Sequence, residues 1–308
     1  MQSLSVVKFR RNAGEPSVIV GRSVFKQLET STTMGSTRRS LVRRGTALMA
    51  TGALAFSGLF VPTRARAQGT AALPMPDVKA LVFDTFGTIV DWRSGVAREA
   101  ERILKPMGYE LDWLTFADAW RAEYRPSMEE VRSGRRPFVK LDILHRENLE
   151  RILPGFKIEK LNEPTLAELN LAWHKLDAWP DVGPAFARLH KRFLMAPCSN
   201  GNIALMADVA RRNNLPWDAI LGSEIAQGYK PQAKVYLMTC EAFNLKPEQV
   251  MMCAAHSADL SSAQKLGLST GHVGRPGEGG PGTGEPEPKG SFDVVGKNFH
   301  DFADKLGV

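Results

Sequence analysis

Short apolar segments alternate with amphipathic ones along the second half of the chain. The apolar segments predict β-strands at Lys79–Phe83, Phe193–Cys198, Ile220–Gly222, Val250–Ala254, Thr270–Val273 and Phe292–Val295. Segments of helical period predict helices at Pro184–His190, Asn202–Asn213, Gln232–Phe243 and Asp259–Leu266, with one more after the last strand. This alternation predicts an α/β fold in which a doubly wound parallel sheet carries helices on both faces.

The segment after the first strand follows a different pattern. Helical periodicity predicts four helices in succession, at Ser94–Lys105, Trp113–Val131, Lys140–Leu153 and Thr165–Leu176. Pro126 predicts a kink or break in the second of them, and Thr165 and Glu168 have capping-box spacing at the start of the fourth. We therefore expect a helical cap domain, 94–181, inserted after the first strand of a core domain formed by 76–93 and 182–308. Arg275–Gly290 is rich in Gly, Pro and Glu and predicts a surface loop.

Charge divides the chain into two parts. The formal net charge is +7, but residues 1–67 contain 11 of the 40 Lys/Arg and 2 of the 33 Asp/Glu. The remainder has 29 Lys/Arg and 31 Asp/Glu, a net charge of −2. The basic character belongs to the leading segment, so nothing in the remainder favours nucleic-acid binding.

The leading segment has the order of an export signal. Thr37–Val42 contains the twin arginines Arg38 and Arg39, Gly45–Pro62 is uncharged and mildly apolar, and Ala65–Ala67 has the small-x-small form of a cleavage site. We expect a twin-arginine signal cleaved near Ala67, an exported or periplasmic protein, and no membrane association after cleavage. A membrane anchor is disfavoured because the apolar run is short and interrupted by glycines. Translation from Met1 or from Met34 stays open.

Four polar motifs follow predicted strands or begin predicted helices. They are Asp84 after the first strand, Ser199-Asn200 after the second, Lys230, and Asp259. In open α/β sheets the carboxyl ends of the strands form the ligand site. An aspartate is ionised at neutral pH and can attack carbon directly, without a partner base for that step. Lys230 would hold Asp84 and keep it charged, and Thr88 could donate a hydroxyl hydrogen bond to the same carboxylate.

These motifs resemble those of the haloacid dehalogenase superfamily. Phe86 two residues after Asp84, Trp120-Arg121 in the helical insert, and Lys230 with Tyr236 resemble the type II branch, the L-2-haloacid dehalogenases. The resemblance covers about residues 76–308 and implies a Rossmann-like core with a helical cap. It implies hydrolysis of short (S)-2-haloalkanoic acids to 2-hydroxy acids through an aspartyl ester. Members are often dimers, so it also leaves a homodimer open.

The resemblance implies roles for five catalytic residues. Asp84 would displace halide from C2 with inversion, and water would then hydrolyse the ester. Lys230 would orient Asp84 and keep its carboxylate ionised, and Thr88 would donate a hydrogen bond to the same carboxylate. Arg121 would cradle the departing halide, and Asp259 would activate or position the water.

Five further residues would bind the substrate or the halide. The resemblance implies that Ser199 holds the substrate carboxylate, that Asn200 helps to receive the halide, and that Phe86 and Tyr236 line the pocket. His256 stands where familiar members have an asparagine. It could donate a hydrogen bond as an amide does, or it could titrate near neutral pH.

No metal or other cofactor is expected. Magnesium-dependent relatives place a second Asp at the position of Phe86 and a pair of acids where this chain has only Asp259. The three cysteines and six histidines have no metal-binding spacing. Three alternatives remain: a phosphatase or phosphonatase of the same fold, another hydrolase of small carboxylates, and a non-catalytic carboxylate-binding module. Ala258 matches a position that is often tryptophan, which favours a wider pocket.

Overall fold

The structure is a computed structural model that describes residues 77–308. The predicted twin-arginine pattern, the cleavage site near Ala67 and the choice of start codon lie outside the described residues and stay predictions. Within residues 77–308, no helix has both the length and the apolar character needed to cross a membrane.

A six-stranded parallel sheet runs through this part of the chain in the order β3-β2-β1-β4-β5-β6. The strands are β1 Ala80–Phe83, β2 Leu194–Ser199, β3 Leu221–Gly222, β4 Val250–Ala254, β5 Ser269–Val273 and β6 Val294–Gly296. Each predicted strand is confirmed, with small shifts of its ends. β1 pairs with β2 on one side and β4 on the other, so the strand order reverses at β1. The residue that follows β1 is Asp84, at the switch point where α/β folds bind ligands.

The helices confirm a helical insertion between β1 and the rest of the core. The insertion contains α1 Trp92–Leu104, α2 Trp113–Ala122, α3 Tyr124–Arg132, α4 Leu141–Ile152 and α5 Glu163–Asn170. The core contains α6 Val182–Leu189, α7 Ile203–Asn213, α8 Ser223–Ala226, α9 Ala233–Ala242, α10 Ser257–Gln264 and α11 Phe299–Lys305. Single 3₁₀ turns lie at Lys105–Met107, Leu153–Phe156, Leu171–His174 and Pro247–Gln249. The α/β fold is confirmed, whereas the exact domain boundaries stay predictions.

Two of the predicted helices in the insertion differ from the observed ones for local reasons. The long helix predicted around Pro126 is two helices, α2 and α3, separated at Glu123. Proline lacks an N–H and its ring clashes with the carbonyl four residues earlier, so the helical ladder breaks just before it. The predicted cap at Thr165 is wrong. Asn162 caps α5 by accepting from the Thr165 N–H at 2.9 Å, and Pro164 suits the first turn that this earlier start creates.

Aromatic packing beneath the sheet holds the end of β1 in place. The ring of Phe83 lies 4.7 Å from that of Phe186 and 5.9 Å from that of Phe299, and all three side chains are fully buried. Burial of one such side chain contributes about 1.5–3 kcal/mol. This packing fixes the position of Phe83, and therefore the position of Asp84, the next residue along the chain.

Candidate active site

Asp84 continues the hydrogen bonding of β1 for one residue before the chain turns. Its N–H donates to the Cys253 carbonyl of β4 at 3.0 Å. The turn that follows depends on Gly87, whose φ of +87° is a conformation that other residues rarely adopt. Asp84 is therefore held by the sheet on one side and by a tight turn on the other, and it is only 7% exposed.

Three donors meet the Asp84 carboxylate. Lys230 Nζ donates to Oδ1 at 2.8 Å, whereas Thr88 Oγ1 at 2.8 Å and His256 Nδ1 at 3.0 Å both contact Oδ2. Burial opposes ionisation, but the charges and hydrogen bonds of Lys230 and His256 outweigh it, so the pKa of Asp84 lies well below its usual range. The carboxylate is an anion at any neutral pH. Oδ2 has two partners and Oδ1 has one, which leaves a lone pair of Oδ1 free.

Lys230 joins this carboxylate to a second one. Its Nζ contacts Asp259 Oδ2 at 2.5 Å as well as Asp84, and the Tyr236 hydroxyl donates to Asp259 Oδ1 at 2.5 Å. Burial would lower the pKa of Lys230, but Asp259 and Asp84 raise it well above its ordinary value. The ammonium is thus a permanent positive charge between two carboxylates, as the sequence predicts for its contact with Asp84.

Thr88 ties the end of β4 to Asp84. Its hydroxyl donates to Asp84 and accepts from the Ala255 N–H at 2.9 Å. A hydroxyl has one hydrogen to donate. Because the Ala255 N–H, just after β4, already donates to the Thr88 oxygen, the hydroxyl hydrogen is left to point at Asp84.

His256 lies between two carboxylates. Nδ1 faces Asp84, and Nε2 faces Glu278 Oε2 at 2.8 Å. Burial alone would lower the pKa of His256, but the hydrogen bonds to Asp84 and Glu278 raise it to about 10. Of the two predictions for His256, donation to Asp84 agrees with this geometry. Titration near neutral pH does not, because both ring nitrogens face anions.

The Arg275–Gly290 loop was predicted as a surface loop and is more than that. It contains no helix or strand, as predicted, but Arg275 is buried and Glu278 reaches the site. Nothing in the sequence marks Glu278, since it lies 22 residues from His256 in a glycine-rich stretch. Only the folded loop brings it to the nucleophile.

Arg121 enters the site from α2 through an aromatic frame. Its guanidinium carbon lies 4.0 Å from the ring centre of Tyr124, 5.2 Å from that of Trp92 and 5.7 Å from that of Phe86. Nη1 is buried and has no hydrogen-bond acceptor among residues 77–308. The rings hold the cation without using its N–H groups, so a donor remains for an anion in the cavity.

The two residues of the predicted Ser199-Asn200 motif have different environments. Asn200 lines the cavity, and its Oδ1 accepts from the Lys230 N–H at 2.9 Å and from the Ser223 hydroxyl at 3.1 Å. The remaining Nδ2 is free to donate to a ligand. Ser199 is fully buried, its Oγ accepts from the Gly201 N–H at 3.1 Å, and it does not line the cavity. The structure therefore does not bring Ser199 into position for direct contact with a substrate carboxylate.

A cavity of about 320 Å³ joins these groups. Its lining consists of Asp84, Phe86, Arg121, Tyr124, Arg125, Met128, Arg132, Asn200, Lys230, Pro231, Tyr236, His256, Ala258, Asp259 and Ser262. Five of these side chains are cationic and two are carboxylates, so the cavity suits an anionic ligand. Sequence reasoning missed Arg125 and Arg132. Their spacing of 4 and 11 residues from Arg121 fits one helical face, and that signal could have found them.

A divalent cation fits this arrangement poorly. Magnesium requires a near-octahedral oxygen shell. Asp84 and Asp259 already share the ammonium of Lys230, His256 adds a second cation, and Phe86 presents a ring instead of an oxygen. Within the described residues, no three His, Cys, Asp or Glu side chains group so as to hold a metal.

Comparison with known proteins agrees with the fold. The family model described as a haloacid dehalogenase-like hydrolase matches residues 78–267. The chain therefore belongs to the haloacid dehalogenase-like hydrolase family, whose fold it shares.

Three relatives in that family are 2-haloacid dehalogenases. The solved structure of a defluorinating L-2-haloacid dehalogenase is 42% identical, with a TM-score of 0.73 over 75% of this chain and 96% of its own. Another L-2-haloacid dehalogenase is 38% identical, with a TM-score of 0.72 over 75% and 99%. The (S)-2-haloacid dehalogenase 1 of Pseudomonas sp. (strain CBS-3) is 28% identical over 205 residues, 65% of this chain and 86% of the relative. The resemblance to L-2-haloacid dehalogenases is confirmed.

Proposed function

We propose that the protein is a hydrolase of carbon–halide bonds that converts short (S)-2-haloalkanoic acids to 2-hydroxy acids. One observation carries this proposal: a buried, permanently ionised Asp84 with a free Oδ1 lone pair opens into a cationic cavity where Arg121 Nη1 lacks a partner. The names of the relatives at 38–42% identity support the same substrate class. Asp84 supplies the nucleophile, and the cavity supplies the charges that an anionic substrate needs.

In the first step, a lone pair of Asp84 Oδ1 forms a bond to C2 as the carbon–halogen bond breaks. The halide departs with the bonding electrons, so no proton is needed for the leaving group. Negative charge moves from Asp84 to the halide, and Arg121 Nη1 can donate a hydrogen bond to the halide as this charge develops. Aromatic rings around Arg121 exclude water, and a fixed donor in such a site is more effective than one in bulk water.

In the second step, water attacks Cγ of the Asp84 ester and transfers a proton to Asp259. The tetrahedral intermediate collapses by breaking the bond between Cγ and Oδ1. The alkoxide of the product then takes the proton from Asp259, which regenerates the Asp259 carboxylate. Asp84 is released as a carboxylic acid and, because its pKa is low, loses the second proton of the water molecule to solvent. Lys230 and Tyr236 hold Asp259 in place for this exchange.

Replacing Arg121 with alanine should lower the turnover of 2-chloropropionate about 100- to 1,000-fold, because a donor to the developing charge is lost. The loss should be smaller for 2-iodopropionate, since iodide leaves more readily without help. Halide release under saturating substrate measures both. If turnover of both substrates fell by the same factor, Arg121 would position the cap rather than stabilise the leaving group.

Halide release from the two enantiomers of 2-chloropropionate tests the proposed function. We expect turnover of the (S) enantiomer only, with inversion to (R)-2-hydroxypropionate, and no change on addition of EDTA. No halide release from any haloacid, together with magnesium-dependent hydrolysis of p-nitrophenyl phosphate, would instead establish the phosphatase alternative.

A further inference from the structure

We propose that Glu278 is a positioning residue that holds His256 as a doubly protonated donor, and that His256 and Thr88 together form an oxyanion hole at Asp84 Oδ2 during ester hydrolysis. This proposal rests on the proposed function and extends it to a loop residue that has no counterpart among the predicted site residues.

The geometry at His256 requires two N–H groups. Each ring nitrogen lies within 3.0 Å of a carboxylate oxygen, Nδ1 of Asp84 and Nε2 of Glu278. A neutral imidazole would direct a lone pair at one of these anions. An imidazolium donates to both, so Glu278 and Asp84 together select the charged form.

The two oxygens of Asp84 have different partners, and this assigns their roles. Oδ1 faces Lys230 and keeps a free lone pair, so it is the oxygen that attacks C2. Oδ2 accepts from Thr88 and His256 and becomes the carbonyl oxygen of the ester. When water adds to Cγ, negative charge collects on Oδ2, where both donors are already in place. Such preorganised donors are among the strongest contributions to acyl transfer.

Glu278 is itself firmly placed. Its Oε1 accepts from Trp92 Nε1 at 3.3 Å, and it lies against Gly87, where any Cβ would collide with the carboxylate. A glycine in the turn after the nucleophile is therefore needed for the approach of Glu278 as well as for the turn. The contact with Trp92 also connects the loop to the frame around Arg121.

The rest of the loop is docked at both ends. Arg275 Nε donates to the Thr88 carbonyl at 2.8 Å, and Arg275 Nη1 pairs with Asp181 at 2.9 Å. Glu285 accepts from the Ser257 hydroxyl at 2.7 Å, next to His256. Glu278 is thus carried by a segment that is fixed to the turn after β1 at one end and to the start of α10 at the other.

The charged groups that influence His256 come from several elements. Asp84 and Glu278 contact it directly, Lys230 acts on it through Asp84, and Glu285 and His272 lie close enough to interact with its charge. The raised pKa of about 10 means that the stabilisation from His256 is complete below about pH 6.5 and is lost as the pH rises through about 10. The pKa values of Lys230 and Tyr236 are both raised above their ordinary values, so we expect the basic limb of the pH profile of activity to report His256.

Glu278→Gln tests the proposal, because glutamine keeps the size of the side chain and loses the charge. We expect turnover to fall about 10- to 100-fold and the basic limb of the pH profile to move down by at least about one unit. In a His256→Asn background, Glu278→Gln should change turnover less than about twofold, since the neutral amide no longer needs the carboxylate. Glu287→Gln, an exposed change in the same loop, is the matched control and should alter neither quantity.

A second readout does not depend on turnover. Nitrogen-15 NMR of labelled histidines, with His256 assigned from the His256→Asn variant, should show two protonated ring nitrogens at pH 8 in the wild-type protein and a lower pKa in Glu278→Gln. A neutral His256 at pH 8, or additive effects in the double variant, would overturn the role of Glu278 while leaving the proposed function intact. Absence of haloacid turnover in the wild type would overturn both.

Discussion

Asp84→Asn should abolish halide release, with a loss of at least about 10,000-fold in kcat. The substitution keeps the shape of the side chain but replaces an anion with a neutral amide, which cannot form the ester at a useful rate. Lys230 retains Asp259 as a partner, so the variant should stay folded. Initial rates with (S)-2-chloropropionate, measured at high enzyme concentration, provide the test.

The matched control is Asp77→Asn, at the exposed start of the segment that leads into β1. It should keep wild-type turnover. If Asp84→Asn retained more than about 1% of the activity, water would be attacking C2 directly, and Asp84 would be a base or a structural residue.

Lys230→Met should be the most damaging change to stability and also a severe one for activity. It leaves Asp84 and Asp259 buried and close together without their shared cation. Removing one partner from a buried ion pair costs about 3–5 kcal/mol. Activity should fall about 1,000-fold or more, because the position and charge of the nucleophile are both disturbed. Urea unfolding and halide release measure the two effects.

The pH dependence of this stability loss gives a further check. Lys230 lowers the pKa of Asp84 in the folded state, so the stabilisation is present at pH values above the unfolded value of about 3.9 and disappears as the pH falls below it. The difference in the free energy of unfolding between Lys230→Met and wild type should therefore be constant near neutral pH and narrow as the pH falls below about 4. Lys234→Met, an exposed change on α9, should leave stability and turnover unaltered. A constant difference across pH would mean that lost packing, not lost charge, causes the defect.

Much of the fold and the centre of the site could be predicted from local pattern. Strands followed by Asp84, Asn200 or His256 bring these residues to one edge, because all strands are parallel. The contact between Lys230 and Asp84 spans 146 residues, and only its place in a known motif made it predictable.

The remaining parts could not be predicted because their determinants are not local. Glu278 comes from a loop without periodicity, and its position depends on contacts with Trp92 and Gly87 that form only in the folded chain. The position of Ser199 relative to the cavity could not be predicted for a different reason. The turn after β2 directs Asn200 into the cavity and leaves Ser199 beneath it, and motif spacing alone does not distinguish the two.

The most direct test of the covalent mechanism is a single turnover in H₂¹⁸O with enzyme in excess over (S)-2-chloropropionate. Water attacks Cγ of the ester, so ¹⁸O should enter the Asp84 carboxylate, and the 2-hydroxy acid should carry the unlabelled oxygen that came from Oδ1. Mass spectrometry of the peptide containing Asp84 and of the product reads both positions. Label in the first-turnover product, with none in Asp84, would contradict the ester intermediate on which this mechanism depends.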